Sequence, residues 1–594
     1  MSIFSTVRGL NPRKRKFNLS HSELIPCDMG QVVPCYVQET VPGSYLSLNA
    51  ACIHRFMALL SPIYHNVNLY VHFWYMPYRL LDSKFARFIA GEFDRSVDAD
   101  HPISSFYNPP YIRYCDLSDG KNSADAYAFT GSLLDFLGYP IPNWADNNVN
   151  AGNMTDHISV RRIQMYLHLI KLWYLNENIQ SGFETTLASI EALINPDLTG
   201  NVSNLVVEVL EELRSLNANM CWPHAWQKNY FTSALPYVQI GSPVTLPVTG
   251  TAPVTIPNQL AQLAAPENGN LTAGIESASA IPQNMNVSFD DSNTGVVQTE
   301  GSYDPINFIR GELQGVGGSI AGTVDMSEAS AITINELRIA NALQVLKERM
   351  ARFGTRVREY YLGFFGVVLS DKSLQQPQWL GGGKLPINIS EVEQTSATAN
   401  SAVEGATTPQ GNLAGKGFGG AGNFAGFKLS CEEEGIVLGL LFIQPKQMMG
   451  NQGLDRMLTK LNDRFDFFNP SMEHLGEQAI KSSELYYAGD GHDNDTFGYT
   501  PRYAEYKFAP DRVHGMFMNT LNFWHLARIF SERPTLSPEF IYTQNAEVRR
   551  IFAVQSISPS VGVNIDISSC LVWLHFTVLY KAPMSKFGTP MLLN

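Results

Sequence analysis

The stretch Asn66–Met76, NVNLYVHFWYM, carries the clearest structural signal in the chain. Val67, Leu69, Val71, Phe73 and Tyr75 share one parity; Asn66, Asn68, Tyr70, His72 and Trp74 share the other. Side chains alternate across a strand, so this period of two predicts a β-strand whose two faces meet different surroundings. Working outward, Gln31–Val41 (QVVPCYVQETV) reads as a second strand, in which Pro34 lacks an N–H and predicts an edge position or a bulge. Gly435–Gln444 (GIVLGLLFIQ) and Cys570–Tyr580 (CLVWLHFTVLY) are apolar at both parities, as strands inside a sandwich are. Arg550–Gln555 (RIFAVQ) is a shorter candidate. The first and last strands therefore lie at the two chain ends, with long excursions between them.

Those excursions hold helices. Ser159–Gln180 places Ile163, Leu167, Ile170 and Tyr174 at helical spacing, and Thr186–Leu216 predicts one or two more. In Thr333–Arg352, Thr333 and Glu336 form a capping box ahead of a Leu337, Ala340, Leu343, Leu346 stripe. All of these read as packing helices. Residues 241–330 differ: small and polar residues dominate, Lys is absent, and Arg310 is the one basic residue. The run PVTLPVTGTAPVTIP suits extended surface β structure, and a segment of this length predicts an insertion on the outer surface. Thr395–Gly426, rich in Gly, Ala, Ser and Thr, reads as an irregular arm or loop.

The composition of the 594 residues bounds the function. Hydrophobic residues make up 44% and charged residues 16%, against about 25% ordinarily, which excludes a disordered chain and suggests surface covered by other subunits. A net charge of −13 means that any nucleic-acid contact is local, because a protein coating DNA over its whole surface is basic. The 7 cysteines are scattered without CxxC spacing, so buried, reduced thiols are expected. The N-terminus lacks the apolar core of a signal peptide, and no apolar run approaches the ~20 residues of a membrane span, so a soluble protein without membrane insertion is expected.

Catalytic, cofactor and metal motifs fail on inspection. Gly381–Lys384 (GGGK) has Gln378 and Leu385 where a phosphate-binding loop needs Gly and Ser or Thr, so it reads as a glycine turn before a strand. Glu473–Glu477 (EHLGE) contains no HExxH, leaving His474 as a hydrogen-bonded structural histidine. The acidic run Asp490–Asp495 has Ala504 where a calcium loop needs its bidentate Glu. It reads as a turn, with a weak interfacial cation site as the alternative. No enzyme is expected, and no catalytic, cofactor-binding or metal-binding residue is assigned. The one local charge signal is Arg8, Arg13, Lys14, Arg15 and Lys16, followed by Phe17 and His21. This basic arm can lie along phosphates by charge alone, or it is a solvated tail.

Several stretches together carry a resemblance. FNLSHSELIPCDMGQVVPCYVQETVPGSYLSLN, HNVNLYVHFWYMPYRLL, GSLLDFLGYP, KNYFTSALPYVQIG, LGGGKLPINISEVEQTS, FGYTPRYAEYK, NFWHLARIF and KFGTPML follow one another from about Phe17 to the C-terminus. In that order they resemble the major capsid protein of small single-stranded DNA phages, the microviruses (Microviridae), on the gokushovirus-like branch. The resemblance implies a mainly β fold, a single eight-stranded viral jelly roll (β-sandwich) with large helical and loop insertions. It implies a T=1 icosahedral shell enclosing a circular single-stranded DNA genome. On that reading residues 1–21 are an internal basic arm, 22–594 the jelly-roll domain with discontinuous strands, and 99–230 a helical insertion. Residues 241–330 become a candidate threefold protrusion that contacts the host. The implied partners are other copies of the chain, genomic single-stranded DNA, a small basic DNA-packaging protein, a DNA pilot protein and a bacterial surface receptor. The implied location is the virion, assembled in the host cytoplasm. Two rivals are a β-rich phage adhesin that binds surface glycans, and a carbohydrate-active enzyme with two carboxylates about 5–10 Å apart in a cleft.

Overall fold

The computed structural model describes most of the chain between Arg13 and Lys586. Outside the described residues lie 1–12, 93–106, 118–126, 142–154, 554–567 and 587–594, connecting stretches within 242–333 and 394–412, and some shorter pieces. The chain divides into two compact units, Gly241–Lys347 and the remainder.

The larger unit is mainly β. Its strands are β1 (Arg15–Asn18), β2 (His21–Cys27), β3 (Gln31–Thr40), β4 (Tyr45–Phe56), β5 (Val67–Pro77), β6 (Gln378–Ile387), β7 (Ile389–Glu393), β8 (Leu413–Ser430), β9 (Gly435–Pro445) and β10 (Cys570–Ala582). All the pairings are antiparallel. In the first sheet β1 and β2 both pair with β10, which pairs with β4, then β8, then β7. In the second, β6, β5, β9 and β3 follow one another, and the short strand Trp222–Pro223 closes the β3 edge. The two chain ends meet: His21 lies opposite Phe576 and Cys27 opposite Cys570.

Aromatic rings join the inner faces of the two sheets. Phe73 of β5 has its centroid 5.1 Å from Phe427 of β8, and Tyr36 of β3 lies 4.9 Å from Phe576 of β10. The parity read in Asn66–Met76 decides this: Val67, Leu69, Val71, Phe73 and Tyr75 are all buried. The opposite face lies under the helical excursion, where Trp74 meets Trp173 at 4.8 Å and His72 Nδ1 lies 2.9 Å from Tyr174 Oη. That excursion contains α1 (Arg161–Leu169), α2 (Glu184–Leu193) and α3 (Ser203–Leu216). The helix expected to reach Gln180 stops earlier, passing into a π-turn at Ile170–Tyr174. Tyr166 fastens α1 to the second sheet by donating to the Val32 carbonyl and accepting the Trp222 N–H, each at 2.9 Å.

Strand β9 is buried along its whole length, as expected, and Pro34 sits at a bulge where Tyr36 faces Gly439 but Pro34 faces Leu440. Several expectations need correction. Cys570–Ala582 is not buried on both faces, since Leu571, Thr577 and Leu579 are exposed on one of them. Apolar outward residues hide that alternation from composition alone. Arg550–Gln555 forms no strand through its described part. Arg550 follows the helical turn Asn545–Arg549, and its guanidinium donates to the carbonyls of His525 and Ala527. The GGGK run is not a turn but lies within β6. The glycine-rich stretch read as a loop contributes most of the 18-residue β8. Its glycines are sites of close approach: a β-carbon at Gly417 would lie 2.4 Å from the Phe56 ring, and one at Gly419 2.6 Å from His54.

In the smaller unit, strands Gln262–Ala264, Leu271–Gly274, Met285–Phe289, Gly295–Gln298 and Ile306–Asn307 form one antiparallel sheet, and Ala252–Ile256 pairs with Ile320–Val324. This agrees with extended β structure in the polar segment. The long helix α4 (Ile334–Phe353) forms, and Leu337, Leu343 and Leu346 of its stripe are exposed. The Thr333–Glu336 capping box falls outside the described residues.

Candidate nucleic-acid interface

In its described part the basic segment is exposed at Arg13 and Lys14 and ends in the first sheet. Arg15 and Lys16 open β1, and Arg8 lies outside the described residues. The strand is held by its apolar residues: Phe17 faces the buried Tyr580, and Phe17 and Leu19 pack against the core. The ladder then divides the charges. Arg15 faces the inward Ala582, whereas Lys16 faces Lys581, so these two ammonium groups share the outer side of the sheet. Lys581 Nζ stands 5.3 Å from the Tyr45 ring centroid, a cation–π contact that leaves its charge available.

His21 departs from the arm. Its ring stacks on Tyr36 at 5.6 Å and its Nδ1 lies 2.8 Å from the Leu19 carbonyl, so it joins the two sheets instead of facing phosphate. Lys581 was not read from the sequence as part of the site. More than five hundred residues separate it from Lys16, and a strand ladder leaves no trace in local spacing.

One buried ionic cluster lines a cavity of about 250 Å³ with Tyr230, Phe231, Met449, Arg456, Glu484 and Glu505. Four carboxylates line it, Asp455, Glu484, Glu505 and Asp511, and of these Glu484 and Glu505 are the pair that bears on the enzyme rival. Glu484 accepts from Tyr230 Oη at 2.8 Å, the Lys481 N–H at 3.0 Å and Arg456 at 3.1 Å. Glu505 pairs with Lys460 at 2.7 Å and accepts from Gln478 at 2.6 Å. Burial pushes the Glu484 carboxyl up; for Glu505 burial is outweighed by the Lys460 and Gln478 hydrogen bonds, which hold it down. With their oxygens committed to the scaffold, these groups brace the fold and are not poised to transfer a proton.

The acidic run Asp490–Asp495 is a turn. Asp493 accepts the Ala488 and Gly489 N–H groups and pairs with Arg533, which also binds Asp490. His474 is exposed, against its reading as a hydrogen-bonded structural residue. No group of three or more His, Cys, Asp or Glu able to hold a metal ion occurs among the described residues. No helix there is long and apolar enough to cross a membrane.

Comparison with known proteins places the chain among capsid proteins. The family model described as "Capsid protein (F protein)" matches residues 5–571. Capsid protein VP1 of Chlamydia phage 1 is 28% identical, over 93% of this chain and 92% of its own length. Capsid protein VP1 of Bdellovibrio phage phiMH2K is also 28% identical, over 99% and 97%, and that of Spiroplasma virus 4 is 25% identical over the same shares. All three relatives are named as capsid proteins. The chain belongs to the capsid protein (F protein) family, the microvirus lineage to which the order of its motifs pointed.

Proposed function

We propose that this protein is the shell-forming subunit of a T=1 icosahedral particle enclosing a circular single-stranded DNA genome. The observation that carries the proposal is the nesting of its long strands. Setting aside β1 and β7, eight remain: β2 pairs with β10, β3 with β9, β4 with β8 and β5 with β6. First with eighth, second with seventh, third with sixth and fourth with fifth is the wrapping of a jelly roll, an architecture that viral capsids use. Eight strands so wrapped keep one rigid core while the connections between them lengthen freely, and those connections supply contacts between copies. A closed symmetric shell then multiplies modest contacts into a stable container.

The basic segment from Arg8 to Lys16 faces inward and contacts genome phosphate alongside a small basic packaging protein, because a subunit at −13 does not neutralise DNA by itself. Residues 241–330 project at the threefold axes and meet a bacterial surface receptor. Support for this comes from their separation, within Gly241–Lys347, as a compact unit of its own. A pilot protein accompanies the genome, and assembly takes place in the host cytoplasm.

Negative-stain electron microscopy tests the reading, on the purified chain alone and with single-stranded DNA. Closed, uniform particles with knobs at the threefold axes are expected. Monomers or trimers under every condition, with binding on a glycan array, would overturn it in favour of the adhesin.

A further inference from the structure

The outward positions of the first sheet can be read from its register, because directly opposed residues lie on the same face. Across the ladders these positions carry Lys16, Lys581, Lys428, Lys416 and Arg55. They carry no Asp or Glu. The acidic residues of these strands lie on the other side: Glu23 opposes the buried Leu574, and Glu391 opposes the buried Gly415. In a chain with 55 acidic and 42 basic residues, a broad face with only cations is contrary to composition. Nor are those cations committed elsewhere, since none of the five forms an ion pair among the described residues. Some other exposed bases are paired, as with Lys372 to Glu432, Lys507 to Glu473 and Arg512 to Asp455.

The cations stand at the two ends of the sheet. Lys428 opposes Ser47, and Lys581 opposes Tyr45, near one end; Arg55 and the adjacent Lys416 mark the other. Ten residues of β4 separate Tyr45 from Arg55, about 33 Å of strand. Between them the surface is apolar and aromatic. Trp573 stacks on His575 at 5.8 Å with 16° between the planes, and Leu24 is 79% exposed. Phe418, itself half exposed, has Arg55 at 5.8 Å and Lys416 at 6.0 Å from its ring. Ala51, Gly420 and Gly426 keep the face low between the strands.

We infer that this open face of the first sheet is a binding surface for single-stranded nucleic acid. Its cations take backbone phosphates at either end, and its aromatic centre takes unstacked bases. The inference rests on the reading of the chain as a shell subunit around single-stranded DNA and specifies where on the subunit that DNA lies. Cationic ends with partly exposed rings at Trp573 and His575 between them, and the exposed Phe418 at one end, are what sequence-independent single-strand binding needs: charge to follow the backbone and π faces for any base. Duplex DNA would leave the rings without partners, because its bases are already stacked. A basic protein would meet like charge. The continuous link from the Arg13–Lys16 segment to the sheet through the Lys16–Lys581 pair brings the arm and the face onto one surface.

The test is fluorescence anisotropy with a labelled thirty-nucleotide oligo-dT, titrated against unassembled full-length chain across a range of salt. The variant Arg55→Gln, Lys416→Gln, Lys428→Gln is compared with Lys372→Gln, Lys507→Gln, Arg512→Gln, which removes equal charge elsewhere. The face variant should bind at least tenfold more weakly at low salt, with a log–log salt slope shallower by about 2, as loss of three phosphate contacts predicts. The control variant should bind as the unmodified chain does, and Trp573→Ala should weaken binding with little change of slope. Equal loss in both triple variants, or no loss in the face variant, would overturn the inference. So would unchanged binding with failed shell closure, which would identify the face as a contact between copies. Circular dichroism on each variant separates misfolding from lost binding. Microscopy of the unmodified chain reports separately on shell formation, so a failure of the capsid reading and a failure of this surface remain distinguishable.

Discussion

Gly383 of β6 passes so close to Phe424 of β8 that a β-carbon at Gly383 would lie 2.2 Å from the Phe424 carbonyl oxygen. The two strands belong to different sheets, so this is where the sandwich closes along one side. The obstruction is backbone, which no rotamer change relieves. Gly383→Ala should therefore destabilise the subunit by about 1–3 kcal/mol or more, the range for forced overpacking. Thermal unfolding of the purified variant checks this; an unchanged Tm would mean that the sheets separate there at little cost.

Asp28 joins the loop after β2 to the C-terminal region. It is buried, accepts the Ser569 N–H at 2.8 Å and pairs with Arg549 at 3.3 Å. Removing one partner of a buried pair strands the other, at a cost of about 3–5 kcal/mol. Asp28→Ala should lower the denaturation midpoint sharply. Asp28→Ala with Arg549→Ala should be less damaging than the sum of the single changes, and a double-mutant cycle in urea measures the difference.

Acid should weaken the fold in a window set by histidine. Burial is the main cause holding His72 and His224 down to about 4, from an ordinary value of 6.5. The unfolded chain therefore binds more protons than the native one once pH falls below 6.5. Stability is fully present above that value and is lost progressively down to about 4, by about 3 kcal/mol for each such site. Tm should be flat above pH 6.5 and fall below it. In His224→Gln, where the ring no longer stacks on Phe442 at 4.1 Å, overall stability should drop while the acid slope becomes shallower.

Thiol labelling should count one accessible cysteine. Cys27, Cys35, Cys52, Cys221, Cys431 and Cys570 are buried, Cys115 is partly exposed, and none forms a disulfide. Burial pushes the Cys52 thiol up to about 12, and that of Cys35 well above its usual value, so neither yields thiolate near neutrality. A maleimide should modify Cys115 in the native subunit and all 7 cysteines after denaturation. Rapid native labelling of more than one would show that the sheets open.

Local pattern revealed what depends on local pattern. Asn66–Met76 announced both of its faces because one packs on a sheet and the other on helices of different polarity. Gly435–Gln444 read as fully buried because it is covered on both sides. Cys570–Ala582 misled because Leu571 and Leu579 are apolar yet exposed, and hydropathy does not distinguish an apolar residue facing the core from one facing outward. Glycine misled similarly at Gly381–Lys384 and in β8. Its local meaning is a turn or a loop, whereas here it admits a neighbouring strand or ring. The candidate site divides along the same line: Arg13, Lys14, Arg15 and Lys16 are adjacent in sequence and visible, whereas Arg55, Lys416, Lys428 and Lys581 gather only through register.

The sequence by itself determined four of the eight nested strands, β3, β5, β9 and β10, the helices of the long excursions and, through the order of its motifs, the family. These follow from side-chain periodicity and from residues that stay neighbours whatever the fold. The tertiary structure decided how the strands nest, which of their faces remains open, and that this open face carries cations without carboxylates. Strand pairing brings together residues hundreds of positions apart, and the register of a ladder, not any local spacing, selects which side each charge takes.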